Sequence, residues 1–192
     1  MTKKGAGTLS LTAGNSFSGP LNVQAGTLAL AASGSSAAGS VTSLGVTNGA
    51  TLLVSQSNQV NNSASVTLSG GTITRGSGVS ETFGNLNVTA PSFLQFGTGT
   101  AGNLTFGTYT PSALLTINNF LPGNTLVFGS DLRSSITNSS LFSFTNGGIG
   151  SSSWNESTST FTITAIPEPS TYLAAIGLLA LMLWPLRRKR PA

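Results

Sequence analysis

The sequence predicts an all-β chain: a right-handed parallel β-helix, or solenoid, followed by an extended linker and one C-terminal transmembrane helix. Three observations carry that expectation. Short segments recur at a period of about 20 residues, the mark of stacked rungs that are each too small to bury an apolar face alone. Within them the apolar residues alternate with Thr, Ser or Asn. A charge-free apolar run near the C-terminus ends in a basic cluster.

In chain order, Gly7-Thr8-Leu9-Ser10-Leu11 is echoed by Gly26-Thr27-Leu28-Ala29-Leu30. Looser echoes follow at Gly49-Ala50-Thr51-Leu52-Leu53-Val54 and Gly71-Thr72-Ile73-Thr74. Gly84-Asn85-Leu86-Asn87-Val88 returns as Gly102-Asn103-Leu104-Thr105-Phe106, read as a further rung. Leu9/Leu11, Leu28/Leu30, Val66/Leu68 and Leu86/Val88 show the period of two expected of half-buried strands. Asn48-Gly49, Gly70-Gly71, Gly76-Ser77-Gly78 and Gly97-Thr98-Gly99 supply the corners. Residues 1–113 are therefore assigned to the solenoid, with a β-sandwich of short strands as the alternative.

From residue 114 to 166 the periodicity loosens and Phe120, Phe128, Phe142, Phe144, Trp154 and Phe161 concentrate the aromatics. This is read as a β-rich capping region, in which large side chains cover an end whose open strand edges would invite aggregation. Thr145 to Ser153 reads as a loop. A carbohydrate-stacking platform of Trp154 with Phe161 is the sharper alternative.

Of the chain's 8 basic and 4 acidic residues, Arg187, Arg188, Lys189 and Arg190 supply half the basic ones, so the remainder is neutral. The high pI thus belongs to the tail, and no basic patch with interleaved aromatics argues for nucleic acid. There is no His and no Cys, which removes Ser-His-Asp and Cys-His catalysis, common zinc sites and disulfides. Glu81, Asp131, Glu156 and Glu168 are isolated in sequence, whereas glycosidic hydrolysis needs paired carboxylates. Glu81 and Asp131 are expected to be solvated loop residues. Gly97-Thr98-Gly99-Thr100-Ala101-Gly102 matches G-x-G-x-x-G, but a strand and not a helix follows it, so the glycines should form a corner. Asn87-Val88-Thr89 and Asn155-Glu156-Ser157 are chance acceptor sequences in so Asn- and Ser-rich a chain. Exposed Thr72 and Thr74 suit an ordinary strand surface better than an ice-ordering one. No catalytic, metal or cofactor-binding residue is expected, and the chain is not expected to be an enzyme.

The C-terminal segment has its own logic. Pro167-Glu168-Pro169-Ser170-Thr171 is held extended by its prolines, without internal hydrogen bonds. Tyr172 to Leu186 is apolar and rich in helix formers, yet as a helix its length of ~22 Å falls short of the ~30 Å hydrocarbon core. A plain tail anchor or a buried helix is the alternative. Arg187, Arg188, Lys189 and Arg190 should stay cytoplasmic, which places residues 1–166 across the membrane. No secretory signal follows Met1-Thr2-Lys3-Lys4, so a start upstream of Met1 is expected for an exported chain.

The tripartite order of residues 167–192 resembles a PEP-CTERM protein-sorting domain: motif 167–171, apolar helix 172–186, basic cluster 187–190. The resemblance implies an exosortase as processing partner, membrane contact through Tyr172 to Leu186, and passage through the inner membrane of a Gram-negative bacterium to the cell surface or the exterior. Residues 5–32, through Gly7-Thr8-Leu9, Asn15-Ser16-Phe17-Ser18-Gly19 and Ala25-Gly26-Thr27-Leu28, resemble the autotransporter-associated β-strand repeat. The chain departs from that repeat at Pro20-Leu21-Asn22-Val23. Leu114 to Phe120 and Thr125 to Leu132 are similar to stretches that precede the sorting tail in such substrates. The expectation is an exported structural protein of the surface or extracellular matrix, with an exopolysaccharide as further partner. An adhesin or glycan-binding solenoid anchored by the C-terminal helix is the alternative.

Overall fold

The computed structural model describes residues 1–165. Pro167 to Thr171, the apolar run Tyr172 to Leu186 and the basic cluster Arg187 to Arg190 lie outside the described residues. Among the described residues, eighteen strands form a β-solenoid of about six turns, parallel throughout except for its last two strands. The first sheet orders β1 (Thr2–Lys3), β3 (Gly19–Val23), β5 (Val41–Thr47), β7 (Ser65–Ser69), β10 (Leu86–Ala90) and β13 (Tyr109–Pro111), all parallel. The second orders β2 (Thr8–Leu11), β4 (Thr27–Leu30), β6 (Thr51–Val54), β8 (Thr72–Arg75), β11 (Ser92–Phe96), β14 (Leu115–Asn118) and β16 (Phe142–Thr145), again all parallel. The third contains β9 (Glu81–Thr82), β12 (Asn103–Phe106), β15 (Thr125–Phe128), β18 (Thr160–Ala165) and β17 (Ile149–Asn155).

The alternation along each strand explains this stacking. Val66 and Leu68 of β7 point inward and Thr67 outward, and their register partners Leu44, Val46, Leu86 and Val88 are buried with them. Successive rungs thereby build one continuous apolar column, which no single rung could close. The recurring Gly-Thr-Leu motif is the second sheet: Thr8 pairs with Thr27, Thr27 with Thr51, and Thr51 with Thr72. A Cβ at Gly26 would collide with the Ala6 carbonyl of the rung below, and its φ of +64° is one that glycine adopts without strain. Pro20 departs from the repeat at a bulge between Gly19 and Pro20, where a residue without an N–H can enter a central strand.

Two expectations change here. The echo between Gly84–Val88 and Gly102–Phe106 is not one rung on the next: Leu86 pairs with Tyr109 in the first sheet, while Leu104 pairs with Leu126 in the third. Similar corner-plus-strand chemistry on two faces produced the likeness. Thr145 to Ser153 is not a loop throughout, because β17 begins at Ile149 after a turn with Asn146 and Gly147 at positive φ.

The parallel ladder runs on through β14 to β16. It is the third sheet that changes direction. β18 pairs antiparallel with β15, and β17 antiparallel with β18, so a hairpin covers the edge that β15 would otherwise expose. Aromatic rings fill the interior leading to that end: Phe83 stacks on Phe106 at 5.2 Å and Phe106 on Phe128 at 5.8 Å. Phe96, Phe120 and Phe144 form a second run at 5.1 and 5.7 Å. The other end lies at the coil of β1 and β2. Leu9 is 38% exposed although its register partner Leu28 is fully buried, because among the described residues no rung lies beyond β2.

Candidate functional site

The described residues offer a neutral exterior and a polar set of staples within. Lys3, Arg75 and Glu81 are buried; Lys4, Asp131, Arg133 and Glu156 are the exposed charged side chains. Asp131 and Arg133 bond each other at 2.6 Å, which holds the Asp131 carboxyl below and the Arg133 guanidinium above their ordinary ranges. The long faces of the first two sheets therefore carry no exposed charged side chain except at their N-terminal edge, and are lined by Thr, Ser, Asn and Gly.

The staples tie rung to rung at the corners. Lys3 Nζ donates to the carbonyls of Lys4, Gly5 and Ala25. Gln59 accepts from the Ala32 N–H and donates to the carbonyls of Ala32, Ser35 and Ser57, pinning the corner of the preceding rung. Arg75 Nη1 donates to Gly76 and Val79 carbonyls, and Nη2 donates at 2.7 Å to Asn124 Oδ1, which also accepts from the Gly102 N–H. The Arg75 guanidinium lies 5.1 Å from the Phe96 ring centroid. Its pKa is lowered by burial, and among the described residues no carboxylate pairs with it.

Glu81 is 2% exposed, so the expectation of a solvated loop carboxylate is corrected. The reason lies in how the third sheet starts. Below β9 the third side has no strand among the described residues, only the isolated bridge of Ala38 with Val60. The Glu81 side chain takes over the acceptor role there: Gln59 N–H donates to Oε2 at 2.7 Å and Val60 N–H to Oε1 at 3.1 Å. Burial raises its pKa from 4.5 to about 7, against the opposing pull of the N–H donors from Gln59, Val60 and Thr82. Asp131 is exposed, as expected.

The other residues singled out from sequence fall as follows. Gly97 to Gly102 make a corner: Gly99 has φ of +104°, a Cβ at Gly102 would collide with the Val79 carbonyl, and strand β12 follows. Phe161 is buried at 1% exposure opposite Trp154, so the two cannot form a sugar platform together. Thr72 and Thr74 point outward from β8. Among the described residues no three His, Cys, Asp or Glu side chains gather as a metal site, and no helix is long and apolar enough to cross a membrane.

Outward on the second sheet, Thr8, Thr27, Thr51 and Thr72 form one column that continues through Phe93, Thr116 and Ser143. A parallel column passes from Leu53 through Thr74 and Gln95 to Asn118 and Thr145. Phe93 is 39% exposed. Two shallow depressions lie elsewhere. One of about 390 Å³ is lined by Gly34, Ser35, Ser36, Gln56, Ser57 and Asn58, and one of about 270 Å³ sits over Gly45 between Asn22, Ser43, Thr47, Thr67 and Ser69. Sequence reading missed Gln59 and Asn124 entirely, and Phe93 carried no signal except its outward phase beside Leu94.

No curated protein and no solved structure matches the chain. A family model described as Passenger-associated-transport-repeat matches residues 1–30, the stretch that holds β1 to β4, and this supports the autotransporter-associated repeat in the first two coils.

Proposed function

We propose that the chain is a non-enzymatic structural protein of the surface or extracellular matrix of a Gram-negative bacterium. Its solenoid is the cargo, right-handed by the crossover preference of parallel strands. The C-terminal segment is the address: Pro167, Glu168, Pro169, Ser170 and Thr171 are presented to an exosortase, while Tyr172 to Leu186 sits in the inner membrane and Arg187, Arg188, Lys189 and Arg190 stay on the cytoplasmic side. The single observation that carries the reading is the passenger-repeat match on the opening coils of a parallel solenoid. A neutral, hydroxyl-lined exterior supports a role outside the cell, where a polymer matrix rather than a charged solute is the neighbour. No cofactor enters this reading.

The test is intact-mass determination of the C-terminus of the mature protein from its native cells, with and without the exosortase. A terminus near Pro169 only when the enzyme is present is expected. A terminus at Ala192 in both would leave residues 172–186 as a plain anchor and refute processing.

A further inference from the structure

We propose that the outward face of the second sheet around Phe93 is a docking platform for a neutral polysaccharide. The proposal rests on the extracellular reading above and names the partner of that surface. A single exposed aromatic ring is common on protein surfaces; what distinguishes Phe93 is its place. Of the large apolar side chains exposed among the described residues, Met1 and Leu9 belong to the first coil, and Phe93 alone lies in the middle of a face. It occupies a column whose other members are Thr8, Thr27, Thr51, Thr72, Thr116 and Ser143, where the backbone asks only for an outward strand residue.

The neighbours complete the chemistry. Thr72 and Thr116 flank Phe93 one strand away on either side, about 4.8 Å across a ladder. Gln95 follows on the same face of the strand, paired with Thr74 on one side and Asn118 on the other. Gln95 spends one amide hydrogen on the Phe96 carbonyl, and Asn118 Oδ1 accepts from the Thr145 hydroxyl, so both amides are held in place with capacity left over. A flat ring bordered by hydroxyls and amides suits a pyranose. The axial C–H bonds of the sugar carry partial positive charge and lie against the negative ring face, and its hydroxyls meet the Thr, Gln and Asn side chains.

Charge selects the class of glycan. Outward positions of the second sheet hold no Asp, Glu, Lys or Arg, since its one charged residue, Arg75, points inward. An anionic polysaccharide would find no cation there, and a neutral one loses nothing. The two depressions lack an aromatic ring and do not compete as stacking sites.

The experiment is titration of the full chain against soluble neutral glycans (a β-1,3-glucan, a xylan, a galactomannan and hydroxyethyl cellulose) and against anionic alginate. It is run in a polyoxyethylene detergent, which has no sugar headgroup. Binding to at least one neutral glycan, insensitive to salt, is expected. Phe93→Thr, the residue type its column already carries, should weaken it about tenfold without lowering the melting temperature. Phe93→Trp should retain it. No binding to any neutral glycan, binding that survives Phe93→Thr, a preference for alginate, or loss of self-association rather than of glycan in Phe93→Thr would each overturn the proposal. The C-terminal mass reads the sorting reading separately, so the two can fail independently.

Discussion

Glu81 should make the solenoid lose stability as pH rises from mildly acidic to neutral, the reverse of what a salt-bridged carboxylate does. Its folded pKa is about 7, raised from 4.5, because its carboxyl is 2% exposed and no cation pairs with it among the described residues. A raised folded pKa means that the folded state binds the proton more tightly. The stabilisation is complete below about pH 4.5 and is lost as pH rises through about 7. The shift corresponds to roughly 3 kcal/mol, at about 1.4 kcal/mol per pH unit. The window is clean because the chain has no His. The assay is urea unfolding of the full chain at successive pH values, wild type against Glu81→Gln. The variant should lose the slope between pH 4.5 and 7. It should also be about 1–2 kcal/mol less stable at acidic pH, since an amide nitrogen cannot accept and the Gln59 and Val60 N–H groups need one acceptor each. Wild-type stability that is flat or rises across that window would refute the reasoning.

The corner and staple residues give further tests. Gly102→Ala should cost about 1–3 kcal/mol in the same assay, because its Cβ would meet the Val79 carbonyl of the neighbouring rung and backbone cannot move aside cheaply. Asn124→Ala should cost about 2–3 kcal/mol, since it strips the acceptor from a buried Arg75 Nη2 and from the Gly102 N–H together. Combining Asn124→Ala with Arg75→Met should recover part of that loss in a double-mutant cycle, because the uncompensated charge is gone.

Arg75 was legible in principle. It stands two residues after Ile73, hence on the inward phase of β8, in register with Val54 and Phe96. Glu81 was not legible, because its burial depends on the missing strand beneath it, a fact about the preceding rung. The echo of residues 84–88 at 102–106 misled for a related reason: alternation specifies that a segment is a strand, whereas the face it joins depends on how much chain the intervening corners consume. That amount varies, from the short coil that brings Thr27 onto Thr8 to the longer one that brings Thr145 onto Asn118.

By itself, the sequence determined the stacked-coil class and the strands of the recurring motif with their inward apolar residues, because period-two alternation and corner glycines act locally and repeat along the chain. Tertiary structure decided the rest. The length of each coil sets which strands are neighbours, so only the folded chain reveals the interior staples of Gln59, Arg75 and Asn124, the antiparallel hairpin β17–β18 and the solitary ring of Phe93 within a column of hydroxyls. Each arises from contacts between segments that only the stacking of coils brings together, where no local propensity reaches.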